Sequence, residues 1–184
     1  MNHKKAPVLL LAALLTLGLL LAGCSSETEE AKPLLQSFTA TTLEGDSFTP
    51  EDLAGKDLTI FNFWGTFCTP CIEEMPDLAA FAKALPENVQ LLTVCVDVAG
   101  DPTNAKLILE QSGYEGLTLV SGQEDFAALI QAVQALPTTI FVDSDGNLVG
   151  DVIVGGRENL AKDFLAAANK ALKASGKAEI SLEG

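Results

Sequence analysis

Two cysteines, Cys68 and Cys71, stand between an apolar stretch and an amphipathic one, and this arrangement constrains the chain more than any other feature. Residues 58–63 are almost continuously apolar, and Trp64-Gly65-Thr66-Phe67 carries that run into the pair. A short apolar run bounded by turn residues is the pattern of a strand covered on both faces. Beyond the pair, Ile72, Met75, Leu78, Ala79, Ala82 and Leu85 recur every three or four residues, the period of a helix with one buried face. A dithiol at the mouth of a helix that follows a buried strand is a redox arrangement.

The position of each sulfur implies its part. A thiol attacks a disulfide only as thiolate, so one sulfur must be accessible and stabilised as an anion. Cys68 sits where the helix begins, facing unpaired backbone N–H groups and the positive end of the helix dipole. Cys71 lies one turn further in, near enough to close a ring but more shielded. Cys68 is therefore the attacking thiol and Cys71 the resolving one. Pro70 fits the first helical turn, where a missing N–H costs nothing. No cation lies between or next to the cysteines, and Glu73 and Glu74 follow them. Nearby carboxylates raise a thiol pKa, so Cys68 is expected toward the thioredoxin end of the range rather than the strongly oxidising end.

The rest of the chain bounds where such chemistry takes place. His3, Lys4 and Lys5 precede an apolar run over 8–21 and then Leu21-Ala22-Gly23-Cys24. A basic start, a short apolar segment and small residues make an export signal, and the run is shorter than the roughly 20 residues of a membrane-spanning helix. Leu21-Ala22-Gly23-Cys24 resembles a bacterial lipobox, which implies cleavage before Cys24 and a lipid on its sulfur, with two acyl chains for stable anchoring. Removal of 1–23 takes away Lys4 and Lys5 but no acid, so the formal charge goes from −14 to −16. A body this acidic, with no basic cluster, is unsuited to nucleic acid. It also keeps no histidine, since His3 is the only one, which excludes histidine triads and histidine metal sites. A zinc site made of cysteines would need two thiolates beside the pair and only Cys95 remains, so neither metal nor cofactor is expected. Cys95 itself lies in an apolar stretch and suits a small core residue.

In chain order, 24–35 is a short acidic tether, 36–176 the folded domain and 177–184 a flexible tail. Residues 38–42 and 47–49 flank Glu44-Gly45-Asp46 as a hairpin, and 50–53 form a single turn. A second buried strand lies within 89–98, and 103–112 is a helix ended by Gly113. A short strand at 117–120 and a helix at 124–134 follow. Strands at 138–142 and 148–154 meet at Asp143-Ser144-Asp145-Gly146-Asn147. An amphipathic helix at 157–174 carries Leu160, Phe164, Ala168 and Leu172 on one stripe. This order predicts an α/β fold: a mixed sheet with a parallel centre and an antiparallel edge pair, covered by helices on both faces.

Four marks together resemble one known family: Asn62-Phe63-Trp64-Gly65 before the pair, the pair itself, Met75-Pro76 in its helix, and Leu136-Pro137-Thr138-Thr139-Ile140-Phe141-Val142-Asp143. They resemble the thioredoxin-like lipoproteins of the TlpA/ResA family, extracytoplasmic thiol-disulfide oxidoreductases, over about 38–174. The resemblance implies a thioredoxin-like sheet with an N-terminal hairpin and a central helix–strand insertion. It implies a cis peptide at Pro137, which packs beside the dithiol and presents the backbone of Leu136 to an extended client. Leu136, Pro137, Thr138 and Trp64 are thus the expected client-binding residues, with Trp64 and Phe67 as an apolar rim. Implied partners are client proteins with disulfides and a membrane dithiol donor of the CcdA type, on the outer face of the cell membrane.

Two departures touch proton transfer. Minimal thioredoxins have a buried carboxylate where this chain has Asn62. A glutamate implied just after the next strand falls here on Val98, so its neighbour Asp97 is the candidate proton relay. The same residues bear on other activities. A thiol peroxidase pattern would need Pro and Thr where Phe61 and Gly65 stand, and an arginine nearby, whereas Arg157 is remote in sequence. A disulfide oxidase or isomerase is an alternative direction of the same chemistry. In a non-catalytic binding lipoprotein the disulfide would be a staple, but so small a loop stabilises little.

Overall fold

The computed structural model describes residues 32–98 and 100–182. The leader expected at 1–23, the lipidation site expected at Cys24 and the expected tether up to residue 31 lie outside the described residues. The elements are β1 (Lys32–Pro33), β2 (Phe38–Thr42), β3 (Ser47–Phe48), α1 (Pro50–Ala54), β4 (Leu58–Trp64), α2 (Thr69–Lys83) and β5 (Val89–Cys95). They continue with α3 (Thr103–Ser112), β6 (Thr118–Glu124), α4 (Asp125–Ala132), β7 (Thr138–Asp143), β8 (Asn147–Leu148), β9 (Ile153–Val154) and α5 (Leu160–Ala174).

All seven residues of β4 are buried, as its unbroken apolar character requires. It runs parallel to β5 and antiparallel to β7, with Asn62 opposite Thr93 on one side and Thr139 on the other. The sheet order is β1-β8-β7-β4-β5-β6-β2-β3, with β9 also on β7. Successive β4 side chains point to opposite faces. Leu58, Ile60 and Trp64 join residues of α2, α3 and α5 in one core, while Phe61 and Phe63 join residues of α1, α4 and the N-terminal hairpin in the other. On that second face Phe38, Phe48, Phe61 and Phe126 form a ring cluster with centroids 5.8–6.4 Å apart. Burying each such ring is worth about 1.5–3 kcal/mol. The central insertion, α3 followed by β6, lies between β5 and α4, and Gly113 closes α3 in the left-handed conformation (φ 70°).

Several boundaries differ from the sequence expectation, each for a local reason. Within the segment assigned to the tether, Lys32–Pro33 forms β1 and Leu35 is buried, because the N–H groups of Leu34 and Leu35 donate to the carbonyl of Gly146. A Cβ at Gly146 would lie 2.1 Å from the Leu35 carbonyl oxygen, so only glycine admits this approach. Strand β6 runs on to Glu124 because β2 pairs along it. The strand expected over 148–154 is two short pieces, β8 and β9, each paired separately with β7. Between them Gly150 takes φ 68° against Ala171 of α5. Helix α4 stops at Ala132, and α5 begins at Leu160, where the Asn159 side chain accepts the N–H of Lys162.

The C-terminal residues were expected to be a flexible tail; residues 177–182 instead lie against α5. Asn169 holds Ile180 by both backbone groups: its Oδ1 accepts the Ile180 N–H at 2.8 Å and its Nδ2 donates to the Ile180 carbonyl at 3.0 Å. Ile180 and Leu182 pack on the α2/α5 core, and Lys177 pairs with Asp57 at 2.7 Å. Asn169→Ala is expected to lower stability by about 1–2 kcal/mol in urea unfolding and to release the Ile180 amide to fast hydrogen exchange. Unchanged protection of that amide would show that the clamp does not hold the tail.

Candidate active site

The carboxyl end of β4 delivers the dithiol. Residues 65–67 turn the chain away from the sheet, and Cys68 caps α2 in an extended conformation (φ −90°, ψ 94°). Its N–H donates to the Gly65 carbonyl at 3.0 Å, and its sulfur accepts the Cys71 N–H at 3.3 Å. The two cysteines form a disulfide, with Cα atoms 5.3 Å apart. Cys68 is 7% exposed and Cys71 only 1%, so the sulfur at the helix mouth is the one an incoming group reaches.

The peptide bond between Leu136 and Pro137 is cis, as the motif implied. The Pro137 carbonyl accepts the Gly155 N–H at 2.8 Å, which ties this loop to the end of β9. Thr138 is buried, its hydroxyl turned back to the Ala135 carbonyl at 2.8 Å. Among the described residues no hydrogen bond engages the backbone of Leu136, and its side chain is half-buried. Phe67, Cys68, Pro70, Val96, Ile130 and Leu136 line a hollow of about 600 Å³.

Trp64 is not part of the rim. It is fully buried in the core beneath the two cysteines, and its indole N–H has no hydrogen-bond partner among the described residues. The β4 alternation that sends Ile60 inward sends Trp64 inward too. Phe67, 71% exposed in the turn, is the aromatic that stands at the dithiol.

Asp97 lies just after β5 and holds the turn in place. It accepts the Thr66 N–H at 2.9 and 3.0 Å, the Thr66 hydroxyl at 2.6 Å and the Cys95 thiol at 3.2 Å. Burial pushes its pKa up, but the Thr66 and Cys95 hydrogen bonds together outweigh burial and leave it below the usual carboxylate value. Cys95 is a buried free thiol, pushed up to about 12 by burial and by the Asp97 charge.

One group escaped the sequence reading. Glu74 follows Cys71 by one helical turn and is buried with Cys71, Met75, Leu78 and Phe81 on the inner face of α2. The signal was present in the same periodicity, which passes through position 74 between Cys71 and Leu78. Burial raises the Glu74 pKa, and Asp77 adds to that. The Arg157 N–H at 3.3 Å, the Asn62 amide and the Arg157 charge oppose it without cancelling it. The Asn62 amide donates to the Thr139 hydroxyl at 3.0 Å, so α2, β4, β7 and the loop before α5 meet at one buried polar cluster. Arg157, remote in sequence, thus stands beside the dithiol helix.

Comparison with known proteins agrees with this geometry. The AhpC/TSA family model matches residues 33–150. Proteins named thiol-disulfide oxidoreductase ResA are 31% identical over 119 residues in Bacillus thuringiensis (strain Al Hakam) and 34% over 122 residues in Geobacillus kaustophilus (strain HTA426). Each alignment covers 64% of this chain and 66% of the relative, just under two thirds of its length. Among solved structures, a thiol:disulfide interchange protein of the thioredoxin family from Chlorobium tepidum TLS superposes with a TM-score of 0.62 at 25% identity, over 78% of this chain and 97% of that one. The structure of MTB dsbF gives 0.58 at 25% identity, over 74% and 98%. With a family model matched over well more than half its length, on a thioredoxin-like fold, the chain belongs to the AhpC/TSA family.

Proposed function

We propose that this protein is a thiol-disulfide oxidoreductase that reduces disulfides of client proteins outside the cytoplasm, anchored to the membrane through a lipid on Cys24. The observation that carries the reading is the unequal exposure of Cys68 and Cys71 at the mouth of α2, next to the cis peptide at Pro137. The ResA names of the relatives support it.

In the reduced protein the Cys68 thiolate attacks one sulfur of a client disulfide. A Cys68–client disulfide forms, and the client's other sulfur leaves as a thiolate and takes a proton. Cys71 then loses its proton and attacks the Cys68 sulfur, closing the Cys68–Cys71 bond and releasing the second client thiol. Two electrons and two protons pass from the protein dithiol to the client. A membrane dithiol donor of the CcdA type restores the reduced state. The N–H of Cys71 and the end of α2 stabilise the Cys68 thiolate. The free backbone of Leu136 pairs with the client strand, and Phe67 covers the reacting sulfurs.

Two carboxylates compete for the Cys71 proton. Asp97 is occupied by donors and held ionised, which makes it a poor base and a good anchor for the turn that places Cys68. Glu74, one turn from Cys71 and raised by burial, is the better match for a proton acceptor. Asp97 is therefore assigned a positioning part and Glu74 the relay.

Four tests follow from these roles. Cys68→Ser is expected to abolish insulin reduction, while Cys71→Ala traps client proteins as mixed disulfides on Cys68; failure of the native protein to reduce insulin or any envelope protein would favour a binding lipoprotein. A reduction potential near that of a strong oxidant, about −120 mV, would reverse the direction of electron flow. Glu74→Gln should slow resolution by roughly 10²-fold and remove a limb from its pH profile. It should not lower stability at pH 7, because a raised folded-state pKa means stability is lost as pH rises through that value. Asp97→Asn should slow attack by Cys68 without moving the pH profile. The lowered pKa of Asp97 gives stability present above its ordinary value near 3.8 and lost as pH falls through the folded value, so the variant loses that acid-limb dependence. A pH profile shifted by Asp97→Asn and untouched by Glu74→Gln would exchange the two roles.

A further inference from the structure

A second hollow, of about 350 Å³, opens on the other side of the loop that leads into Pro137. It is lined by Leu34, Ile140 and Leu148, by Leu129 and Ala132 of α4, and by Val152 and Val154. Val152 and Val154 are 46% and 55% exposed, two of the few large apolar side chains left in solvent. Val133, Gln134 and Ala135 line this hollow and the dithiol hollow alike, so the two share one wall. Among the described residues, none that lines either hollow is charged, although a fifth of the chain is. The backbone of Leu136, unpaired among the described residues, follows directly on that wall.

We propose that the second hollow is a client subsite: it takes a bulky apolar side chain of the extended, uncharged polypeptide segment whose cysteine reacts at Cys68. The proposal rests on the oxidoreductase reading above. A segment paired with the Leu136 backbone lies across the shared wall. Its successive side chains point to opposite faces. With its cysteine turned into the dithiol hollow, residues at odd separations from that cysteine turn toward the second hollow. The substrate class is thus an unfolded or extended chain with Phe, Leu or Met one or three residues from its cysteine, and not a small thiol. Other occupants fit less well. A net charge of −14 sets a second copy against the first, and the residues before Lys32 (Glu27, Glu29, Glu30) are too acidic for an uncharged groove.

Short peptides with one cysteine blocked by thionitrobenzoate test this with the Cys71→Ala protein. Cys68 attacks the peptide sulfur, the Cys68–peptide disulfide forms and thionitrobenzoate leaves, giving the rate by its colour. Peptides carry Phe or Ser at separation one, two or three from the cysteine. Phe at one or three is expected to react roughly tenfold faster than Ser, and Phe at two to give no gain. Val152→Asp and Ala132→Glu should each bring that ratio close to one, with the Ser peptides serving as the control for folding and for the dithiol. Equal rates for all peptides would overturn the subsite while leaving the oxidoreductase reading intact; no reaction with any peptide would overturn that reading itself. Val152→p-benzoylphenylalanine locates the occupant directly. Crosslinks to the Phe peptide support the proposal, whereas crosslinks to a second copy or to residues before Lys32 overturn it.

Discussion

Burial of β4 on both faces is the constraint on which the rest of the molecule depends. A strand with no solvent face must be covered by helices on each side, and its position between β5 and β7 follows from that demand. The same burial fixes where the chain emerges. When β4 ends at Trp64 the next three residues must leave the sheet, and the cap position of the helix after them falls on Cys68. Cys68 therefore sits at a helix mouth because the strand before it is a core strand.

The site is set by how the fold distributes desolvation and donors. Asp97 and Glu74 are both acids near the dithiol, yet they are driven in opposite directions. Asp97 collects the Thr66 N–H and hydroxyl and the Cys95 thiol, so its charge is compensated where it stands. Glu74 is withdrawn from water and receives less in return. One carboxylate is thereby favoured as an anion that pins a turn, and the other is less favoured in its charged form. Asn62, in a position where an acid would have placed a third charge, instead sets an uncharged amide beside Thr139 and Glu74.

Much of this was legible in the residues. The order of strands and helices, the parallel centre, the helix after the dithiol and the cis bond at Pro137 could all be read before any coordinates, because each depends on local pattern or a specific motif. Less could be read where partners are distant in sequence. Trp64 was placed at the rim because it flanks the cysteines, but strand alternation sends it inward. Position 74 looked like an ordinary first-turn acid until α2 was seated on β4 and the loop at Arg157 closed over it. The tail looked free until Asn169 and Ile180 met.

The sequence alone determined the chemistry available, two thiols at the start of a helix, and the class of fold that could hold them. Hydrophobic period and turn residues act within a few positions and are written directly in the chain. Only the tertiary structure decided which thiol meets solvent, which carboxylate stays charged, and which apolar side chains remain outside beside the dithiol. Those outcomes turn on desolvation and hydrogen bonding between segments more than 80 residues apart, and such terms have no value until the segments are packed.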